Sequence, residues 1–136
     1  MTSTELPLLG KTILEINVLN HNYDDSIEFI CSDGSIFNMH HEQDCCESVT
    51  IEDIDGDIDD LIASPITMAE EVVKDDENAS ESGTWTFYKF ATIKGYVTIR
   101  WYGSSNGYYS ESVTISESHD IKRARSIKLD KINEGS

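Results

Sequence analysis

Between Trp85 and Tyr102, large apolar side chains recur at every second residue on both sides of a Lys94-Gly95 pair. A period of two is that of a strand with one buried face. A short polar break between two such runs is a tight hairpin. A two-residue Lys94-Gly95 loop pairs Thr92 with Val97, Phe90 with Ile99 and Tyr88 with Trp101, and all but Thr92 are large and apolar. The opposite face carries Phe87, Lys89 and Ala91 against Thr98, Arg100 and Tyr102, a mixed surface. The rest of the chain must therefore supply a cover for one apolar sheet face.

Other segments read as strands of the same kind. Thr12–Leu19 alternates, with Leu14, Ile16 and Val18 on one side. Asp33-Gly34 separates two further apolar runs, and a type I′ turn there places Ile27, Phe29, Cys31 and Ile36 on a common face. Ser48–Ile54 is read as a strand, and residues 57–63 as one short helix with Ile58, Leu61 and Ile62 inward, stopped by Pro65. Ile66–Val73 is read as a strand and Asp75–Ser82 as an exposed loop. A three-residue loop, Ser105-Asn106-Gly107, then makes a second hairpin with Val113 opposite Ile99, Ile115 opposite Val97 and Glu111 at the rim opposite Trp101.

The expected fold class is α+β, mostly antiparallel sheet with about seven or eight strands. A chain of 136 residues suits one core. Residues 1–117 form the expected domain. Residues 118–136 are read as a basic polar tail around Lys122-Arg123-Ala124-Arg125, either mobile or forming a last strand near Ser126–Leu129.

Charge is distributed unevenly. Of the 26 acids, fifteen lie in residues 42–82 against the single base Lys74, so that segment carries −14 of the net −16. Residues 83–136 carry +3. The densest positions are Glu52, Asp53, Asp55, Asp57, Asp59 and Asp60, followed by Glu70 and Glu71. Read blandly, they solubilise the surface. Read sharply, they form an anionic patch for a basic groove on another protein. Direct nucleic-acid binding is not expected of such an anion, and no apolar run suggests a membrane span.

Chemistry-bearing motifs are sparse. His40, His41, Cys45 and Cys46 could hold zinc, with His119 as the one later candidate, but two separated ligand pairs are missing. Three cysteines without a leader point to a reducing cytoplasm and free thiols. Asp53–Asp60 invites calcium, yet Gly56 comes two places too early for a helix–loop–helix calcium site, and Ser64 stands where glutamate is needed. A solvated acidic turn is the simpler reading. No nucleophile elbow, phosphate loop or dinucleotide fingerprint is present, so no enzymatic activity is expected. Arg100, Trp101, Tyr108, Tyr109 and Glu111 are the candidates for a small-ligand pocket near the Ser104–Glu111 hairpin tip.

Two blocks, His41-Glu-Gln-Asp-Cys-Cys-Glu-Ser-Val49 and Thr84-Trp-Thr-Phe-Tyr-Lys89 with Lys94–Glu111, together resemble a small domain family of unknown function encoded by bacteriophages and prophages. The resemblance covers about residues 10–115 and carries no catalytic residues. It implies a phage origin and hence an accessory protein acting in the host cytoplasm, as a monomer or small homo-oligomer. The expected function is a non-enzymatic inhibitor that mimics nucleic acid and binds a host immune nuclease, such as a CRISPR effector or restriction enzyme. The alternatives are a module sequestering a signalling nucleotide and a metal-stabilised structural protein.

Overall fold

The alternating pattern folds into two antiparallel sheets. The computed structural model describes residues 2–21 and 24–134. Its strands are β1 (Thr2–Glu5), β2 (Ile13–His21), β3 (Asp24–Cys31), β4 (Ser35–His40), β5 (Ser48–Asp55), β6 (Met68–Asp75), β7 (Ser82–Thr92), β8 (Gly95–Ser105) and β9 (Thr114–His119). A 3-10 turn, Ile58–Leu61, lies between β5 and β6, and a helix, α1 (Ile121–Glu134), follows β9. One sheet has the order β1-β6-β7-β8-β5 and the other β2-β3-β4-β9.

The β7–β8 hairpin keeps its expected faces in a different register. Thr92 pairs with Gly95, Phe90 with Val97, Tyr88 with Ile99 and Thr86 with Trp101. The loop is thus Ile93-Lys94, and the pairing slips by two residues, a shift that returns every side chain to its original face. Tyr88, Phe90, Val97, Ile99 and Trp101 are all fully buried, whereas Ile93 at the loop is 90% exposed. The Asp60 carboxylate lies against Gly95, so a Cβ there would have to displace it. The Thr92 hydroxyl donates to the Asp60 carbonyl, so the 3-10 turn holds the hairpin end.

The β3–β4 turn also differs from expectation. Ile30 pairs with Ile36, Phe29 with Phe37 and Ile27 with Met39, which makes Ser32-Asp33-Gly34 a three-residue loop. Only Gly34 takes a positive φ, +91°, and the Asp33 carboxylate accepts from the Ser35 N–H at 2.9 Å. Phe37 and Met39 therefore enter the core in place of Ile36, a larger apolar surface than the two-residue turn would bury. In β2 a bulge between Ile13 and Glu15 substitutes Ile13 for Leu14 on the inner face. Ile16 packs partly against the core, and Val18 is left 37% exposed.

The second expected hairpin does not form. β5 occupies the free edge of β8, with Ile51 opposite Trp101 and Ile54 opposite Ile99. β9 crosses to the other sheet and pairs with β4, placing Ile115 opposite Met39. A bulge at Glu52 keeps both Ile51 and Ile54 facing inward, so β5 brings β8 a longer apolar face than residues 108–115 could. Val113 still reaches the core, and Gly107 has the positive φ expected of that loop.

The two inner faces meet through Phe29 and Phe90, with ring centroids 5.6 Å apart, and through the Trp101 Nε1–H, which points at Met39 Sδ at 3.2 Å. This is sheet-on-sheet packing. Leu61 is fully buried, with Ile58 and Ile62 partly buried against the core as expected, although the segment is one 3-10 turn capped by Asp57. Gly56 just before it has φ +103°, and a Cβ would collide with the Tyr96 carbonyl. Gly56→Ala is expected to destabilise by roughly 2–3 kcal/mol, read as a lower urea midpoint. An unchanged midpoint would disprove this account of the glycine.

Residues 121–134 form a helix, where the expectation was a basic tail, either mobile or carrying a last strand near Ser126–Leu129. Asp120 caps it, its carboxylate accepting from the Arg123 N–H at 3.0 Å. The helix lies on the outer face of the four-stranded sheet. Arg123 forks onto Glu28 at 2.9 and 2.7 Å, and Lys128 Nζ donates to the Ser32 carbonyl at 2.9 Å. Ile30 and Ile36, turned away from the main core, are buried on this side together with Ala124. Residues 135 and 136 of the expected tail lie outside the described residues.

Candidate functional site

The outer face of the five-stranded sheet is left uncovered by the other sheet. Alternation along β7 and β8 puts Trp85, Phe87 and Lys89 on it beside Tyr102, Arg100 and Thr98. Trp85 stacks near-parallel to Phe87 at 6.1 Å and tilts against Tyr102 at 4.6 Å. The Arg100 guanidinium sits 5.7 Å from the Trp85 ring centroid. These side chains are half-buried. Arginine beside large aromatics is the composition that dominates protein-interface energetics.

Acids flank this platform on two sides. On β5, Asp53 stands opposite Arg100 and Asp55 opposite Thr98. Asp53 and Arg100 form a two-pronged ion pair at 2.6 Å for each contact, and the guanidinium holds the Asp53 carboxyl below its usual range. Beyond the sheet, Asp76 of the β6–β7 loop accepts from the Tyr102 hydroxyl at 2.7 Å, which pushes the phenol up. On the other margin, Glu70 of β6 stands opposite Lys89 on the same outer face.

The eight acidic positions singled out in the sequence therefore do not form one patch. Glu52, Asp55, Asp57 and Asp59 are exposed along β5 and the turn after it. Asp60 is tucked beside Gly95. Glu70 lies across β7 and β8, three strand spacings from β5, roughly 14 Å. Glu71 faces inward, accepting from the Tyr88 hydroxyl at 2.7 Å. The aromatic centre between these margins is the part that sequence reasoning missed. Its signal lies in the mixed face of the hairpin, which Trp85 joins at the same period of two.

The residues proposed for a ligand pocket are not brought together. Arg100 and Trp101, being consecutive in β8, point to opposite faces, and Trp101 is fully buried. Tyr108 is 88% exposed, and its ring lies 6.2 Å from that of Tyr109. Glu111 is buried beside Gly103, accepting from the Thr84 and Ser105 hydroxyls. Burial pushes its carboxyl up, but the hydroxyls of Ser105, Thr84 and Ser82 outweigh that and hold it below the usual range.

The His/Cys cluster likewise diverges. His40 turns to the outer side near Ser116, whereas His41 is buried between the β4–β5 loop and the segment before β9. His41 Nδ1 faces the Ser112 carbonyl at 2.6 Å and Nε2 faces the Glu47 carboxylate at 2.8 Å. Both partners are hydrogen-bond acceptors. Glu47 is buried as well. Burial pushes its carboxyl up, but the N–H of Cys45, the His41 ring and the N–H of Asp44 more than compensate and hold it at about 2. Cys45 and Cys46 are joined to each other, where free thiols were expected, and Cys31 is free and buried. Among the described residues no three His, Cys, Asp or Glu side chains converge as metal ligands, and Asp53–Asp60 runs from the end of β5 through Gly56 into the 3-10 turn. Among those residues no helix is long and apolar enough to cross a membrane.

No curated protein and no solved structure matches the chain. A family model does match, over residues 6–115, taking in the whole core of both sheets up to the second residue of β9. The chain belongs to the family described as Domain of unknown function (DUF7448).

Proposed function

We propose that this protein is a non-enzymatic binding module that docks the open face of its five-stranded sheet onto a cationic protein surface. One observation carries the reading. Trp85, Phe87, Tyr102 and Arg100 form an uncovered platform with exposed carboxylates on its margins. The aromatic centre supplies desolvated contact area, and the acids steer association and set register. A net charge of −16 favours a partner with a basic groove. Together with the resemblance to phage-encoded domains, this supports an anti-defence role in the host cytoplasm. The acidic margin of β5 then occupies the nucleic-acid groove of a CRISPR effector or restriction nuclease.

The test is a DNA-cleavage assay with a panel of such nucleases at low and high salt. Inhibition of at least one nuclease is expected, and it should weaken as salt rises. Reversing Glu52, Asp55 and Asp57 to lysine, or replacing Trp85 with alanine, should raise the inhibitory concentration about tenfold or more. Inhibition untouched by either change removes this face from the mechanism, and inhibition of no nuclease removes the anti-defence role.

A further inference from the structure

We propose that Cys45 and Cys46 are a reversible dithiol–disulfide site, open to exchange with a dithiol from the surrounding medium. The two residues are consecutive, exposed and bonded to each other. Both line a cavity of 670 Å³ together with Asp24, His41, Gln43 and Glu47. Cys46 also borders an adjoining cavity of 310 Å³ that reaches Tyr102 and Tyr109. A reductant can thus approach the sulfurs from solvent.

The surrounding loop is built to hold its shape with or without the sulfur–sulfur bond. The buried Glu47 carboxylate accepts from the Asp44 N–H at 2.9 Å and the Cys45 N–H at 2.8 Å. The Gln43 side-chain amide donates to the carbonyls of Cys45 at 3.2 Å and Glu47 at 2.6 Å. His41 locks the carboxylate from the other side. With the main chain fixed by these polar contacts, the two sulfurs stay neighbours after reduction. The third thiol, Cys31, lies in the core and is kept from taking part.

The exchange balances. One thiolate of the incoming dithiol attacks a cysteine sulfur, forming a mixed disulfide and releasing the other cysteine as a thiolate. The second thiol of the reductant then displaces the remaining cysteine. The reductant leaves as its disulfide, and two electrons and two protons end on Cys45 and Cys46. Oxidation by a disulfide of the same class runs the steps in reverse.

Intact-mass spectrometry of the native, full chain tests this. After treatment with oxidised dithiothreitol, iodoacetamide should add nothing. After reduced dithiothreitol, two alkyl groups should map to Cys45 and Cys46, while Cys31 reacts only once the chain is denatured. The reduced protein should also take up one phenylarsine oxide, both thiols binding arsenic as water leaves. Cys45→Ser and Cys46→Ser should each abolish that uptake, and if either fails to fold, the wild-type readouts still decide. Three results would overturn the proposal: disulfide-linked dimers as the main oxidation product, alkylation of both cysteines after oxidant treatment, or no alkylation after reduction.

Discussion

Trp101→Ala is expected to lower the unfolding free energy by about 3–5 kcal/mol, with a fall in Tm on the order of 10–15 °C for a chain of this size. Trp101 is the largest fully buried side chain and stands in β8, flanked by Ile51 of β5 and Thr86 of β7. Its indole N–H reaches across the sandwich to Met39. Truncation therefore opens a void where both sheets meet and removes dispersion contacts from each. Because native stabilities are themselves only about 5–15 kcal/mol, the variant should sit near its unfolding transition at 37 °C. Trp101→Phe keeps most of the volume and should cost much less. Urea and thermal melts of the three proteins check this, and a loss under about 1 kcal/mol for Trp101→Ala would contradict the packing described.

The second large effect concerns His41. His41→Leu leaves the Glu47 carboxylate buried beside an apolar side chain, with only backbone N–H groups to compensate its charge. Breaking a buried pair from one side is costly, and a Tm loss of roughly 10 °C is expected. Adding Glu47→Gln removes the orphaned charge while keeping an oxygen for the loop N–H groups. The double variant should thus be more stable than His41→Leu alone, a non-additivity that a double-mutant cycle measures. Strictly additive losses would show that the two side chains act independently.

The same carboxylate sets a pH dependence. Its folded-state value of about 2 lies below its ordinary 4.5. Its contribution to stability is therefore fully present above pH 4.5 and drains away as pH falls toward 2. Glu28, Asp33 and Asp53 are held down by Arg123, Lys11 and Arg100 respectively and add to the same acid-side loss. Glu47→Gln should flatten only part of that slope.

How much was legible in the sequence depended on whether a period of two was enough. It sufficed for the faces of β7 and β8, because a slip of two residues leaves a face unchanged. It failed at the Asp33-Gly34 turn, where one residue of loop length exchanges Ile36 for Phe37 and Met39. Strand partners were legible only where a tight turn joined them. The pairing of β9 with β4 spans the chain, and nothing local in Thr114–His119 names Met39 as the opposite of Ile115. β1 carries no apolar pattern to announce it. The helix did have a signal, Asp120 followed by Ile121 and Ala124, but the basic run beside it drew the reading toward a tail. At the candidate site the acids were obvious and misleading. Their number could be counted, but whether each faces the platform, the core or a turn follows from bulges and register that composition does not record.

One consequence concerns where this domain can be cut. The family match stops at residue 115, two residues into β9, whereas β9 runs on to His119 and α1 to Glu134. A fragment trimmed to the matched residues would strip β4 of most of its outer neighbour and lay Ile30 and Ile36 bare. Its raw strand border would invite sheet extension by a second molecule. In this chain the trailing strand and helix cover what the matched residues alone would leave open, so an expression design for it should run through Glu134.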